Sequence, residues 1–417
     1  MIPHSTPPMR QPRQSRGFTI VEMMVALVVA MILLAGVYEV YTGSKRGYKY
    51  GEAVARAQEY ARFATATLGT DMRMAGYVGC SDERLYNHID LSDAGEDDMF
   101  DFRAGTAGWE YIGGTGTATW PEQTFPSGGT ALNDFDPSDE DAGDWNNHAS
   151  EDLPLSLENQ VLAGSDVVLL KWAQEDTNLE VNNAAAAELT TPGPTGIEQG
   201  TLLLITNCKT ADVFQKSNEY TAAGLARGTS AGFKPGNVEP EPVGGTGSNC
   251  DQLALSDAAP MVQSLAGLGC WSHDYGADAN TQVLRASARA YFVGVRPSDQ
   301  MPTLYRIRYD RGLQADGTAV LGREEIAEGV ENMQVLYGED VNGDGMPERY
   351  VTADRVTDHA TVVALKVALL IRSLEEVKPI EESNTFDLLG TTITAPDDGR
   401  LRYVVTSTVK LRNKGKR

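Results

Sequence analysis

The chain has 417 residues and a formal net charge of −23 at pH 7, with 22% charged and 41% hydrophobic residues. This acidic balance argues against nucleic-acid binding, which needs a basic surface, and the hydrophobic content predicts a folded rather than a disordered protein. The length suits a membrane helix followed by one large or two small globular units.

The first feature along the chain is a long apolar segment that follows a short basic leader. The leader contains Arg10, Arg13 and Arg16 and no acidic residue, and the apolar segment covers residues 18–40. Because a helix rises about 1.5 Å per residue, this segment can cross the roughly 30 Å hydrocarbon core of a bilayer. One carboxylate, that of Glu22, lies near its start. The sequence therefore predicts a membrane-spanning helix that begins close to residue 18.

Residues 17–22 form the motif Gly-Phe-Thr-x-x-Glu directly after the leader. Leader, motif and apolar segment together resemble the class III signal of type IV pilins and pseudopilins. The resemblance implies that a prepilin peptidase cleaves between Gly17 and Phe18, methylates the new amino group of Phe18 and leaves the helix attached. It also implies that Glu22 pairs with the N-terminal amine of a neighbouring subunit during assembly. Residues 1–17 are then a cleaved leader peptide.

Other interpretations of the apolar segment explain less of the sequence. A secretory signal peptide has a shorter core with a small-residue cleavage site just after it, whereas the candidate site at residues 53–55 is separated from the core by three basic residues. A plain signal anchor does not account for the Gly-Phe-Thr-x-x-Glu motif, and a buried soluble helix does not need a basic leader. Basic residues flank the segment on both sides, so they do not set its orientation.

The helix is expected to cover residues 18–76, of which 18–40 are the transmembrane part. No proline interrupts residues 18–75, and Gly76 is a suitable stop. Glycines at positions 36, 43, 47 and 51 are the points at which a bend or local melting is most easily accommodated. An apolar stripe at helical spacing predicts that the second half packs on a sheet or helix, through Val54, Ala57, Ala61, Ala64, Leu68, Met72 and Ala75.

Residues 77–285 are expected to form an acidic, loop-rich part of the globular domain with a few strands. Residues 134–144 are strongly acidic, which is typical of a solvated surface, with a cation site as the alternative. A short helix is predicted around residues 258–268. Residues 71–80 and 205–215 resemble segments of PilW-type minor pilins. Apolar segments bounded by turns predict strands at residues 166–172, 201–206 and 211–215.

Residues 286–417 are expected to form the strand-rich part of the same domain. Glu324 and Glu325 suit the first turn of a short helix over residues 323–330. The tail at residues 409–413 resembles the last strand of PilW-type proteins. The predicted class is α+β: a long N-terminal membrane-spanning helix packed on a mainly antiparallel, pilin-like sheet domain with long loop insertions. The predicted strands are residues 288–295, 303–309, 333–337, 361–372 and 402–411.

The four cysteines are Cys80, Cys208, Cys250 and Cys270, and none forms a C-x-x-C pair. Zinc and thioredoxin-like sites are therefore disfavoured. In an exported chain an even number favours two disulfides, for which three connectivities exist, and four buried thiols are the alternative. The preferred pairing is Cys80–Cys208, which ties the end of the helix to the sheet, and Cys250–Cys270, which closes the loop between them.

Residues 340–348, Asp-Val-Asn-Gly-Asp-Gly-Met-Pro-Glu, are the clearest candidate ligand set. Oxygen donors at positions 1, 3, 5, 7 and 9 of such a loop suit calcium. Position 12 is Val351 rather than a glutamate, so the segment is not an EF-hand, and Asp354 or Asp358 would have to complete the shell. A tight turn between two strands, without metal, is the alternative. The candidate donors are Asp340, Asn342, Asp344, the Met346 carbonyl and Glu348.

Signals for catalysis are weak. Gly228-x-Ser230-x-Gly232 matches the nucleophile-elbow pattern, but neither a buried strand before it nor a helix after it is predicted. The five histidines are scattered, and no phosphate loop or dinucleotide fingerprint occurs. The sequence therefore predicts a protein that is not an enzyme, with Ca²⁺ as the one candidate cofactor.

The combined hypothesis is a PilW-type minor pilin of a type IV pilus. The resemblance implies a structural protein that primes pilus assembly at or near the tip and supports twitching motility, adhesion or DNA uptake. Its expected partners are other minor pilins, the major pilin, the prepilin peptidase, the inner-membrane assembly platform and a tip adhesin. The resemblance also implies that, before assembly, the chain is a single-pass inner-membrane protein with a periplasmic body. The alternatives are a type II secretion pseudopilin and a membrane-anchored periplasmic binding protein or enzyme.

Overall fold

The computed structural model describes residues 17–80, 84–91, 97–112, 123–124, 145–185, 188–229, 232–238, 271–272, 275–277, 280–314, 317, 319–377 and 385–412. The chain forms two compact units, Met1–Ala53 and Val54–Arg417. The helices within the described residues are α1 (Ile20–Met74) and α2 (Asp97–Phe100), with single 3-10 turns at Tyr275–Ala277, Ala353–Arg355 and His359–Thr361.

Helix α1 confirms the long N-terminal helix expected from the sequence. It runs without interruption through the four glycines at positions 36, 43, 47 and 51, so none of them breaks it. Gly76 follows the helix in a left-handed conformation, with φ +77°. A glycine adopts this conformation at a helix end without steric cost, and its N–H donates to the carbonyl of Lys171.

The described strands that precede the long C-terminal hairpins are mostly short. In the region expected to be loop-rich, they are β1 (Arg84–Asn87), β2 (Thr106–Tyr111), β3 (Gln123–Thr124), β4 (Trp145–Asn146), β5 (Val167–Asp176), β6 (Asn183–Ala185), β7 (Glu188–Pro194), β8 (Leu202–Thr206), β9 (Thr210–Gln215) and β10 (Ala223–Ala226).

The C-terminal part contains the longest strands. The expected boundary at residue 285 lies inside the first of them, because this strand pairs with β5 and β8 as well as with the strand that follows it. The strands are β11 (Gln282–Arg296), β12 (Met301–Tyr309), β13 (Glu324–Glu328), β14 (Val330–Glu339), β15 (Arg349–Val351), β16 (Val362–Glu376), β17 (Thr385–Leu388), β18 (Thr391–Thr394) and β19 (Arg400–Lys410).

The described strands form four sheets, which are mainly antiparallel, as predicted. The largest has the order β1-β9-β8-β11-β5-β2-β4, and β12 and β13 extend it from β11. A four-stranded sheet has the order β15-β14-β16-β19, and two three-stranded sheets have the orders β10-β7-β6 and β17-β18-β3. Among the described ladders, β1 with β9 and β18 with β3 are parallel.

The main core lies between residues 57–74 of α1, with Ala75 just after it, and strands of the two larger sheets. Six members of the predicted apolar stripe are buried, and Val54 is half-buried. Side chains alternate along β5: Leu170 packs in the core under the helix, and Leu169 packs in a second core on the other face. Because β5 is covered on both faces, its first four residues, 167–170, are all apolar and do not alternate with polar residues. The second core also contains Phe100, Phe102, Trp109, Trp145, Leu157 and Phe292.

Residues 323–330 contain a strand, so the predicted short helix is wrong. β13 pairs antiparallel with β12 and is followed directly by β14. Glu324 accepts a hydrogen bond from Arg306 of β12 at 2.6 Å, and Ala327 is buried in the main core. Cross-strand pairing and burial therefore override the preference of two glutamates for a helix N-terminus. The helix predicted at residues 258–268 lies outside the described residues.

Candidate functional site

The Gly-Phe-Thr-x-x-Glu motif lies at the start of helix α1. Gly17 and Phe18 precede the helix, and the side chain of Phe18 is 85% exposed. A Cβ added to Gly17 would meet no atom within 4 Å. The peptide bond at which cleavage is predicted is therefore in an open part of the described chain.

Thr19 and Glu22 form a reciprocal pair of hydrogen bonds around the first turn. The backbone N–H of Glu22 donates to Oγ1 of Thr19 at 3.2 Å, and the backbone N–H of Thr19 donates to Oε2 of Glu22 at 3.0 Å. The Thr19 hydroxyl also donates to Oε2, at 3.1 Å. This is a capping box, which satisfies two backbone donors at the helix start. The Thr-x-x-Glu spacing is the sequence signal of this capping box, which was not predicted above.

The first half of α1 presents an apolar surface. Among the described helices, α1 is the one that is long and apolar enough to cross a membrane. Its large apolar side chains in this half are exposed, which leaves them available for lipid or for other helices. They are Ile20, Val21, Met23, Met24, Val25, Leu27, Val28, Val29, Met31, Ile32, Leu33, Leu34 and Val37.

The predicted calcium loop connects β14 to β15. One carboxylate oxygen each of Asp340, Asp344 and Glu348 lies within 4.8 Å of the other two. Ligands around one calcium ion, each at about 2.3–2.6 Å, are separated by comparable distances. These three carboxylates can therefore share a cation. Asp354 and Asp358 are not in this cluster, contrary to our expectation that one of them would complete the shell.

The same loop also has the hydrogen bonds of a tight turn. The carboxylate of Asp340 accepts from the backbone N–H groups of Gly343, Asp344 and Gly345, at 2.6, 3.1 and 2.7 Å. Gly343 and Gly345 have φ of +80° and +83°, values that an L side chain rarely adopts. Asn342 and Asp344 each accept a backbone N–H two residues on, at 2.8 Å.

The remaining predicted oxygen ligands of this loop come from Glu348 and Met346. Glu348 closes the loop by accepting from the N–H of Val341 at 2.7 Å. Because calcium takes oxygen ligands, the carbonyl of Met346, rather than its exposed thioether, is the atom that this residue offers to a hard cation. Turn and cation site are therefore compatible, because the amides bind only some of the carboxylate lone pairs.

Cys80 and Cys208, the first of the two preferred pairs, are joined by a disulfide. The bond connects the segment that follows α1 to the turn between β8 and β9, across a sequence separation of 128 residues. Cys250 and Cys270 lie outside the described residues.

A buried polar cluster around Asp212 of β9 was not foreseen. Its carboxylate accepts from the N–H and hydroxyl of Ser272, accepts from the hydroxyl of Tyr275, and lies 2.5 Å from Nε2 of His88. Burial, together with the charge of Asp212, raises the pKa of Tyr275 well above its usual value. A catalytic triad has histidine between the acid and the serine, whereas here the acid lies between the other two. The cluster therefore fits the role of attaching residues 271–272 and 275–277 to the sheet.

The nucleophile-elbow pattern gains no support from its surroundings. Ser230 lies outside the described residues, and the strand before it, β10, ends at Ala226. The segment 232–238 that follows contains no helix.

Two family models match parts of the chain. Residues 290–413 match the model described as Type IV Pilus-assembly protein W, and residues 12–38 match the Prokaryotic N-terminal methylation motif. The second match covers the last residues of the leader, the Gly17–Phe18 bond and Glu22, and the first covers the C-terminal half of β11 and all of β12 to β19.

Comparisons with curated proteins and with solved structures found weak similarity. No curated protein matches the chain. Among solved structures, the chain is similar to the Type IV-like pilin TTHA1219 from Thermus thermophilus, with 18% sequence identity over 31% of this chain and 68% of that one. The TM-score of this match is 0.19.

Proposed function

Since its two family matches mark the chain as a PilW-type type IV pilin, we propose that it is a minor pilin that primes pilus assembly and lies at or near the pilus tip. The observation that carries the proposal is the combination of an exposed Gly17–Phe18 bond, Glu22 in the first helical turn and an exposed apolar helix surface behind them. A helix that offers only apolar side chains over several turns requires lipid or the helices of other subunits around it.

We propose that this chain undergoes the processing and assembly steps that its N-terminal motif implies. The prepilin peptidase removes residues 1–17 and methylates Phe18, and the apolar helix holds the product in the inner membrane with its body in the periplasm. Other minor pilins, the major pilin and the assembly platform then take it into the pilus, where a tip adhesin is a further partner. Twitching motility, adhesion or DNA uptake is the cellular role.

The position of Glu22 supports a role in docking. A carboxylate in an apolar span costs roughly 2.5–3.5 kcal/mol at a helix centre, so it is kept near a partner or near water. Thr19 supplies two donors to this carboxylate within its own chain. Because a carboxylate offers about four lone-pair sites, Glu22 can keep these bonds and still accept the N-terminal amine of a neighbouring subunit.

We further propose that the loop at residues 340–348 binds calcium through Asp340, Asn342, Asp344, Glu348 and the carbonyl of Met346. The convergence of three carboxylates supports this proposal. Bound calcium would hold the connection between β14 and β15 in one conformation and would neutralise part of a strongly acidic surface.

A deletion strain tests the function directly. Without the chain, we expect fewer surface pili, and expression of the intact chain should restore them and place it in sheared pili. A type II secretion pseudopilin, the second candidate, shares the N-terminal motif but predicts normal pili and failed protein secretion. A membrane-anchored binding protein or enzyme predicts that neither process depends on the chain. Normal piliation in the deletion strain would overturn the proposal.

A further inference from the structure

Two buried carboxyl groups lie where the large sheet meets the sheet that contains β14. Glu110 is in β2 and is 1% exposed, and Asp166 directly precedes β5 and is 2% exposed. Trp109 is paired with Val167 in the antiparallel ladder of β2 and β5, which sets Glu110 opposite Asp166. The two side chains are therefore close together, and neither is in contact with bulk water.

Asp166 connects the two sheets. Its backbone N–H donates to the carbonyl of Met333 at 2.9 Å, and its carboxylate accepts from the N–H of Val335 at 2.8 Å; both partners lie on β14. The same carboxylate accepts from the N–H of Tyr111 of β2 at 3.4 Å. The buried carboxylate of Asp166 thus accepts hydrogen bonds from two backbone N–H groups, which satisfies part of its hydrogen-bonding capacity.

The segment just before Asp166 strengthens this connection. Ser165 accepts from the N–H of Met333 at 3.1 Å, and the carbonyl of Gly164 accepts from the side-chain amides of Asn332 and Gln334. Residues 164–166 are therefore clamped to β14 by both backbone and side-chain hydrogen bonds. A change of charge at Asp166 acts directly on this clamp.

Glu110 has the opposite environment. Both of its carboxylate oxygens are buried, and neither accepts a hydrogen bond from any part of the chain that the structure describes. An ionised carboxylate in such a place is very costly, whereas a neutral carboxyl carries an O–H that can donate. The other charged and titratable groups that act on the pair are Asp354 and Arg355 in the turn Ala353–Arg355 and Tyr337 on β14. The Tyr337 hydroxyl donates to the carbonyl of Ala107 instead, at 3.0 Å.

We propose that Glu110 and Asp166 share a proton at neutral pH, with the neutral carboxyl of Glu110 donating to the carboxylate of Asp166, and that this proton makes the attachment of the two sheets pH-sensitive. One proton removes the repulsion between two adjacent buried charges and gives Glu110 a partner. Loss of the shared proton places two negative charges beside the clamp at residues 164–166. We expect the hydrogen bonds between this segment and β14 to weaken as a result.

The direction of the pH dependence follows from the two pKa values. Burial raises the pKa of Asp166 from 3.8 to about 7, and burial together with the charge of Asp166 raises the pKa of Glu110 well above 4.5. Above about pH 4.5, Glu110 and Asp166 are ionised in the unfolded chain but still hold protons in the folded chain. The stability contributed by the pair is therefore fully present in acid, begins to fall as Asp166 loses its own proton near pH 7, and falls further at higher pH, when Glu110 loses the shared proton.

Infrared spectroscopy of the full chain in detergent tests for the shared proton. We expect the carbonyl stretch of a protonated, buried carboxyl at neutral pH, lost in Glu110→Gln and retained in Glu375→Gln, a matched change at an exposed position. Absence of this band from the wild-type protein at neutral pH would overturn the proposal. Because its absence would be seen in the wild-type chain alone, the proposal can be overturned even when the Glu110→Gln variant does not fold.

The melting temperature provides a second, independent readout. Between about pH 5 and about pH 9 the wild-type melting temperature should fall, and hydrogen exchange at the Val335 amide should accelerate. The Glu110→Gln variant, whose new side-chain amide donates at every pH, should show a smaller fall and a weaker acceleration. Equal pH profiles for the wild-type protein and this variant would show that the pair does not control the attachment.

Discussion

The Nη1 atom of Arg289, on β11, donates to both carboxylate oxygens of Asp71, on α1, at 3.0 and 2.8 Å. Asp71 is 6% exposed and also accepts from the hydroxyl of Tyr291 at 2.5 Å. The guanidinium of Arg289 stacks on Trp172, 4.5 Å from the ring centre. Residues 57–74 of the helix are thus held on the sheet by a buried ion pair as well as by apolar contacts.

Replacement of Asp71 by alanine should destabilise the globular unit strongly. Removing one partner of a buried pair leaves Arg289 without its counter-charge, which typically costs about 3–5 kcal/mol. Denaturant unfolding of the full chain in detergent measures this loss. Glu59→Gln, on an exposed face of the same helix, is the control and should change stability by less than about 0.5 kcal/mol. Equal stability of the two variants would mean that apolar packing alone anchors the helix.

Glu22 has two candidate roles, which two substitutions separate. Glu22→Gln keeps a side-chain oxygen that can accept from the Thr19 N–H, but it removes the charge. Thr19→Val removes the hydroxyl from the capping box, but it keeps the charge. If Glu22 pairs with a neighbouring N-terminal amine, Glu22→Gln should insert and fold but drop out of sheared pili, while Thr19→Val assembles. Western blots of inner-membrane and sheared-pilus fractions measure both.

The reverse pattern would contradict the docking role of Glu22. If only the capping box matters, Thr19→Val should fail and Glu22→Gln should assemble. Glu22→Ala removes both features and should accumulate in the inner membrane in either case. Parental levels of Glu22→Ala in sheared pili, with restored piliation, would exclude both roles in assembly.

Processing should remove the basic leader. We expect intact-mass and N-terminal peptide spectra of the membrane form to show a chain that begins with N-methylated Phe18. The exposed bond between Gly17 and Phe18 gives a peptidase access to it. A strain without prepilin peptidase is the control and should retain residues 1–17. Retention of the leader in cells with active peptidase would remove the basis for a pilin function.

Calcium should raise the melting temperature of the chain. A ligand that binds only the folded state stabilises it by RT ln(1 + [L]/Kd), so the shift should grow with calcium concentration. The double variant Asp340→Ala, Asp344→Ala should lose the shift. Glu375→Gln with Glu376→Gln removes two exposed charges elsewhere and should keep it. An unchanged melting temperature of the wild-type protein with calcium would leave residues 340–348 as a turn alone.

All four cysteines are expected to be oxidised. Alkylation of the unreduced, denatured protein should label no thiol, and peptide mapping should recover Cys80 linked to Cys208. Replacing both of these by alanine should destabilise the fold by about 2–4 kcal/mol, the usual range for a disulfide. Cys250→Ala with Cys270→Ala is the comparison for the second predicted pair. Four labelled thiols in periplasmic material would contradict both disulfides.

Features set by local spacing were predictable. The apolar stripe between Ala57 and Ala75 recurs at helical intervals, and the structure buries it as expected. The segment at residues 166–172 predicted a strand because it is apolar and bounded by turns, and the structure places a strand there with both faces covered. The Gly-Phe-Thr-x-x-Glu motif could be recognised without knowledge of the fold, because its residues are adjacent in the chain. In each case the determining residues lie within a few turns of one another.

Features that depend on distant partners were not predictable. Glu324 could begin a helix or pair with Arg306, and only the position of β12 beside it selects the strand. Glu110 and Asp166 look like surface acids in the sequence, and only the junction of two sheets buries them together. The sequence by itself thus determined the long helix, its apolar stripe and its N-terminal motif, because these arise from periodicity and short-range contacts. The tertiary structure alone decided which charges are buried and paired, because desolvation and pairing energies depend on neighbours far away in the chain.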